Sequence, residues 1–211
     1  MNAEPIALCA AHVEPTAAML ASAFEVDPAY RYLFPDPARR PRGLADFFAR
    51  NLRTHLPYRC TRALLDAKQQ TFATVTLRPP GGIHVSALTM LRRGLLPFAF
   101  AHGREAVARL FWLKRSYDAL EARAARDAPH FYVHMMAVVP DQQGRGHGTA
   151  LLERALARET AAAPGVPTVL TTHLPRNVIF YRRAGFEVVD ERQLQPPDSD
   201  GYTVWSMRRP A

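Results

Sequence analysis

The chain has 211 residues, enough for one domain with a sizeable core, and its 48% apolar content separates it from disordered sequences. No apolar run approaches the roughly 20 residues of a membrane span, and the amino terminus lacks the basic-then-apolar order of a signal peptide. Net charge is +8, carried almost wholly by arginine, with Lys68 and Lys114 the only lysines. No basic run with interleaved aromatics marks a nucleic-acid surface. The arginine excess reads equally as the codon usage of a GC-rich genome and as a surface that attracts a polyanionic ligand. Cys9 and Cys60 are too few for a disulfide framework. They read as small hydrophobes in a reducing compartment, so a cytoplasmic location is expected, with no membrane, nucleic-acid or metal partner.

Residues 6–12 read as a first strand and 14–25 as a helix with Pro15 in its first turn. Asp27-Pro28-Ala29-Tyr30 and Phe34-Pro35-Asp36-Pro37 read as a loop. Residues 38–54 place Leu44, Phe47, Phe48 and Leu52 at helical spacing. Residues 59–66 and 71–78 form a hairpin, broken by Pro79-Pro80-Gly81-Gly82. Residues 86–126 are mostly helical and partly apolar. An apolar strand covers 131–139, a helix follows Gly148, and a strand covers 167–173. This βαβ unit should be parallel and right-handed. Residues 177–184 form a short helix stopped by Gly185 as its left-handed cap. Strands at 186–192 and 202–208 close the chain around Pro196-Pro197-Asp198. The fold class is α/β, a central mixed sheet flanked by helices. No repeat or low-complexity linker divides it, so one domain over 1–211 is expected.

The most informative stretch is HFYVHMMAVVPDQQGRGHGTALL. A strand, a glycine loop and a helix aim backbone N–H groups and a positive helix end at one point, which suits a phosphate. A nucleoside-triphosphate loop needs a lysine before the hydroxyl residue, and Thr149 follows Gly148 directly. A dinucleotide fingerprint started at Gly144 and Gly146 needs a glycine where Thr149 stands. The acyl-coenzyme-A pattern Gln/Arg-x-x-Gly-x-Gly/Ala is met by Gln143, Gly146 and Gly148. An ordinary tight βα turn is the bland alternative.

Further blocks agree with the acyl-coenzyme-A reading. VVPDQQGRGHGTALL, LPRNVIFYRRAGFEVV and the closing VWSMRRP together resemble the GCN5-related N-acetyltransferase (GNAT) superfamily, most closely its puromycin N-acetyltransferase type. Pro175-Arg176-Asn177, Tyr181 and Gly185-Phe186 carry the more specific part. The likeness is clear over about the last 80 residues, weaker over AFEVDPAYRYLFPD, and slight over 78–129. It implies a fold whose fourth and fifth strands splay apart to admit a pantetheine arm. It also makes 86–126 a helical insertion between the third and fourth strands, covering the acceptor side or simply the core.

Amide formation from a thioester needs a neutral amine, a donor for the developing oxyanion and a proton for the leaving thiolate. The resemblance makes Tyr181, four residues after Asn177, the proton donor; a packing tyrosine is the alternative. Strand alternation puts His134, Met136 and Val138 on one face. An imidazole pKa near 6.5 suits a base, and the serotonin N-acetyltransferase branch has a catalytic histidine at the matching position. A core histidine bonded to a carbonyl is an equal reading of His134. The backbone of Val138 is the implied oxyanion donor. Gln143, Gly144, Arg145, Gly146, His147, Gly148 and Thr149 are the expected pyrophosphate cradle, with Met136, Val138 and Asn177 completing the acetyl-coenzyme-A site. Arg145 reads equally as a solvated arginine.

Puromycin-type relatives carry a glutamate on the fifth strand where this chain has Thr171. His173, two residues on and on the same face, partly replaces it or stands in solvent. Tyr30, Phe34 and Trp112 line the acceptor pocket or pack as ordinary aromatics. The expected activity is direct acetyl transfer from acetyl-coenzyme A to a small primary amine, by a monomer or homodimer. The rivals are a non-catalytic acyl-coenzyme-A-binding protein and a protein N-terminal or lysine acetyltransferase.

Overall fold

The structure is a computed structural model and describes residues 4–211. A first short strand, β1 (Ile6–Ala7), leads through a 3-10 turn to α1 (Val13–Phe24), α2 (Pro28–Leu33) and α3 (Arg40–His55). The hairpin β2 (Thr61–Leu65) and β3 (Thr71–Arg78) precedes α4 (Ala87–Thr89), a π-helical stretch (Met90–Leu95) and α5 (Leu96–Ala125). Then come β4 (Phe131–Val138), α6 (His147–Ala162), β5 (Thr168–Thr172), α7 (Pro175–Arg183), β6 (Glu187–Leu194) and β7 (Tyr202–Arg209). Among the described residues, no helix is long and apolar enough to cross a membrane.

Two expectations change. The first strand stops at Ala7, and residues 10–12 turn as a 3-10 helix. The stretch expected as a loop at Asp27–Tyr30 starts a helix. Asp27 is its N-cap, accepting from the Ala29 N–H at 3.0 Å, and Pro28 presets the first turn. The insertion stands between β3 and β4, as expected, and breaks at Gly103, whose φ of 82° is left-handed.

The seven strands run in the order β1-β2-β3-β4-β5-β7-β6, all antiparallel to their neighbours except β4 and β5. That parallel pair is held by two residue pairs only, Phe131 with Thr168 and Tyr132 with Val169. Beyond them the strands part toward their carboxy ends, as the resemblance implied.

Each sheet face has its own core. On one face, α1, α3 and α5 bury Leu20, Phe48, Leu52 and Leu113 against Met135, Ala137 and Val204. On the other, α6 and α7 bury Leu151, Leu152 and Val178 against Val75, Val133, Leu170 and Met207. The core of α5 also reaches β4 and β5, through Ala124 and Ala125 on Tyr132 and Val169.

Candidate active site

The loop after β4 forms as its glycines require. Gly144 and Gly146 have φ of 75° and 81°, a region that L side chains rarely adopt. A Cβ at either would meet nothing within 4 Å, so the loop faces open space. Gly148 is glycine for another reason: a Cβ there would lie 3.2 Å from the Val138 side chain, so α6 sits hard on β4. Gly146 caps α6 without a side-chain hydrogen bond, and the first backbone bond of the helix runs from the Ala150 N–H to Gly146 O. Among the described residues, no protein acceptor meets the N–H groups from Gly144 to Thr149. Unpaired donors at a helix start are a cradle for an anionic group.

Side chains around the loop brace it. Gln143 Nε2 donates to Val138 O at 2.9 Å, tying the loop to the strand end. His147 packs edge-on against Phe72. Arg145 is exposed. Val139 donates to Phe72 O across β3, so by strand alternation the Val138 N–H points the other way, into the gap beside β5.

Tyr181 sits on α7, buried against Phe186 and Phe180. Among the described residues, no protein group bonds its hydroxyl. Burial, with a smaller push from Tyr132, raises its pKa well above the ordinary phenol value, so it stays protonated. Asn177 Nδ2 donates to Thr172 Oγ1 at 3.0 Å, fastening α7 to the end of β5. Gly185, at φ 84°, closes α7: its N–H bonds Arg182 O and the Phe186 N–H bonds Tyr181 O, both at 3.0 Å. This is the Schellman arrangement.

His134 does not share a face with Met136 and Val138. Thr76 pairs with Met135 while Leu77 pairs with Val133, so β4 bulges at His134. One unpaired residue shifts the alternation. Met136 and Val138 pack on the α6 side with Val133, and His134 turns to α3 with Met135. There His134 stacks on His55 at 5.0 Å, and its Nε2 donates to Asn51 Oδ1 at 3.1 Å. Burial first, then His55 and Arg78, hold its pKa well below the ordinary imidazole value.

His173 is not in solvent. Its Nδ1 lies 2.8 Å from Asp27 Oδ2 and its Nε2 lies 2.6 Å from the Tyr117 hydroxyl. Tyr117 in turn lies 3.1 Å from the Tyr202 hydroxyl. Asp27 is 4% exposed. The network joins the start of α2, the end of β5, the insertion helix α5 and β7. Thr171, on the same face, bonds the Tyr132 hydroxyl at 2.8 Å, and burial pushes the Tyr132 pKa up to about 12.

Tyr30 packs on Phe24, Phe47 and Phe48, with its hydroxyl raised in pKa by burial and then by Asp27, Tyr132 and Tyr202. It therefore borders the same polar cluster. Phe34 does not: it is 7% exposed, wedged against Phe98 and His102, with Gly43 left bare to fit its ring. Trp112 lies edge-on against Tyr32. Sequence reasoning missed Asp27, Tyr117 and Tyr202. Only Asp27 carried a signal, the Asp-Pro start of a helix.

The arrangement is a gap between two parallel strand ends, the usual ligand position in such sheets. The anion cradle, Met136, Val138, Asn177 and Tyr181 lie toward α6 and α7. Thr171, His173, Asp27, Tyr30 and Tyr117 lie toward α2 and α5.

Comparison with known proteins bears on this site. Residues 106–188 match the acetyltransferase (GNAT) domain model. Solved structures share the fold. One, histone acetyltransferase HPA2 and related acetyltransferase from Corynebacterium glutamicum, is 19% identical with TM-score 0.61, over 100% of this chain and 98% of that one. Drosophila melanogaster polyamine N-acetyltransferase is 14% identical with TM-score 0.65, over 100% of both chains. A phosphinothricin acetyltransferase from Sinorhizobium meliloti, in complex with AcCoA, is 14% identical with TM-score 0.59, over 100% of this chain and 89% of that one.

Proposed function

We propose that this chain, whose residues 106–188 match the acetyltransferase (GNAT) domain model, acetylates a small primary amine with acetyl-coenzyme A. The transfer is direct, in a ternary complex. The observation that carries this reading is the conjunction of an outward N–H cradle at the start of α6 with the gap between β4 and β5. The residues fit the cofactor: the cradle takes the pyrophosphate, and the free edges of the splayed strands accept the pantetheine amides. When bound, acetyl-coenzyme A supplies an activated carbonyl and a thiolate leaving group.

The Val138 N–H, aimed into the gap, stabilises the developing oxyanion. Tyr181, held protonated by burial, gives its proton to the departing sulfur. Both would be desolvated in the same gap, and a thiolate released there is a stronger base than in water. Asn177 positions α7. The proton acceptor is not His134, whose Nε2 is committed to Asn51 and whose basicity burial lowers. The likeness of the carboxy-terminal blocks to the puromycin type makes amine-bearing antibiotics the first compounds to try, although Thr171 replaces that type's glutamate.

The test pairs binding with turnover. Acetyl-coenzyme A should raise the melting temperature by mass action, and thiol release should appear with members of an amine panel. Release with peptide amines alone would move the reading to protein acetylation, a use that the α5 wall argues against. Stabilisation without release from any amine would make this a binding protein.

A further inference from the structure

Tyr181 provides for the leaving sulfur but leaves the amine's proton without a destination. Three observations bear on it. His173 stands at the carboxy end of β5, where the gap is open, on the face opposite Tyr181. Its ring is fully partnered inside the protein, with a carboxylate at one nitrogen and a phenol at the other. The carboxylate is itself pinned, because Asp27 Oδ1 accepts from the Ala29 N–H at 3.0 Å while Oδ2 faces His173.

The tautomer follows. An ionised Asp27 only accepts, so His173 carries its proton on Nδ1 and leaves Nε2 as a lone pair. Tyr117 then donates to Nε2 and accepts from the Tyr202 hydroxyl, which leaves its oxygen one further lone pair. Burying a carboxylate and an imidazole is costly unless they are matched, and a strand end has no packing need for such a pair. His134 has no carboxylate behind it.

Building on the acetyl-transfer reading above, we propose that Asp27, His173 and Tyr117 form a proton relay that receives the amine's proton. As the N–C bond forms and the C–S bond breaks, the nitrogen becomes cationic and acidic. Its proton passes to the Tyr117 oxygen, and the Tyr117 proton passes to His173 Nε2. The resulting imidazolium is held by Asp27. Tyr181 has lost a proton to sulfur, and solvent returns one from His173 to reset both groups. In this relay Tyr117 takes the amine's proton directly and is the catalytic residue; His173 receives the proton through it, and Asp27 is a positioning residue.

The first measurement needs no turnover. Nitrogen-15 spectra of the full chain should show His173 protonated at Nδ1 with a free Nε2. Asp27→Asn keeps the α2 cap through its carbonyl oxygen but turns an amide donor toward Nδ1, so the proton should move to Nε2. A wild-type ring protonated at Nε2 overturns the relay whether or not any amine is acetylated. The second measurement is kinetic, with an amine that the wild type turns over. Asp27→Asn, His173→Gln and Tyr117→Phe should each lower kcat by about 100-fold or more, with the acetyl-coenzyme-A thermal shift retained as evidence of folding. The titratable groups facing His173 are Asp27, Tyr117 and Tyr202, with Tyr30 and Tyr132 beside them. Wild-type kcat in Asp27→Asn and His173→Gln would overturn the proposal.

Discussion

Two hydroxyl and imidazole groups show how differently burial acts on chemistry. Burial keeps Tyr181 protonated and so ready to donate. Tyr181→Phe keeps the ring and its contacts with Phe180 and Phe186, and removes only the donor. Its kcat should fall about 100-fold, while calorimetry finds acetyl-coenzyme-A affinity unchanged. Burial keeps His134 and His55 neutral, with both pKa values depressed. The unfolded chain therefore binds more protons as pH drops below about 6.5, and stability present above that value is lost toward lower pH. His130, raised by its bond to Glu121, works in the opposite sense: its contribution is present at low pH and fades as pH rises through its raised value. His134→Gln retains an N–H for Asn51 and cannot titrate, so its melting temperature should fall less than wild type between about pH 7.5 and about pH 5.5. A parallel decline in both proteins would show that His134 is not responsible. The roles of Gly146 and Gly185 were legible in sequence because their constraint is local, a left-handed backbone beside a helix end. The partners of His173 were not, since Asp27 lies 146 positions away and Tyr117 lies 56 away. Nothing local links such residues.

At the scale of elements, periodicity located most helices and strands, and the βαβ unit was readable from its apolar strand, glycine loop and helix. The failures have specific causes. Asp27-Pro28 signals both a turn and a helix start, and the six residues of α2 are too few for periodicity to decide. The bulge in β4 leaves no mark in a run of apolar residues, yet it alone decides that His134 meets α3 instead of the cofactor loop. The α7 stop is the most sequence-determined joint in the site. Gly185→Ala forces an L residue into the left-handed region and should cost about 1–2 kcal/mol, seen as a lower urea midpoint at constant slope. A midpoint equal to wild type would mean that the Schellman turn relaxes freely.

For the whole molecule, the salient fact is that only two residue pairs join β4 to β5. The free strand edges beyond them should exchange amide hydrogens faster than the paired strands. Acetyl-coenzyme A should slow exchange around Val138 and from Leu170 to His173, without comparable change in the β6–β7 pair. Uniform protection of all strands would instead indicate general stabilisation. The sheet's two faces differ, with the glycine loop toward α6 and α7 and the Asp27–His173–Tyr117 network toward α2 and α5.

The broken helix at Gly103 gives the α5 wall a further meaning. The part of α5 after the break carries Trp112 and Tyr117 and is anchored through Leu113, Leu120, Ala124 and Ala125. The part before it carries Phe100, which is 97% exposed. A glycine joint of this kind uncouples the two lengths of one helix. The outer length is therefore held by contacts of its own, Phe98 on Phe34 and His102 on Asp46, while the inner length keeps its register over the gap.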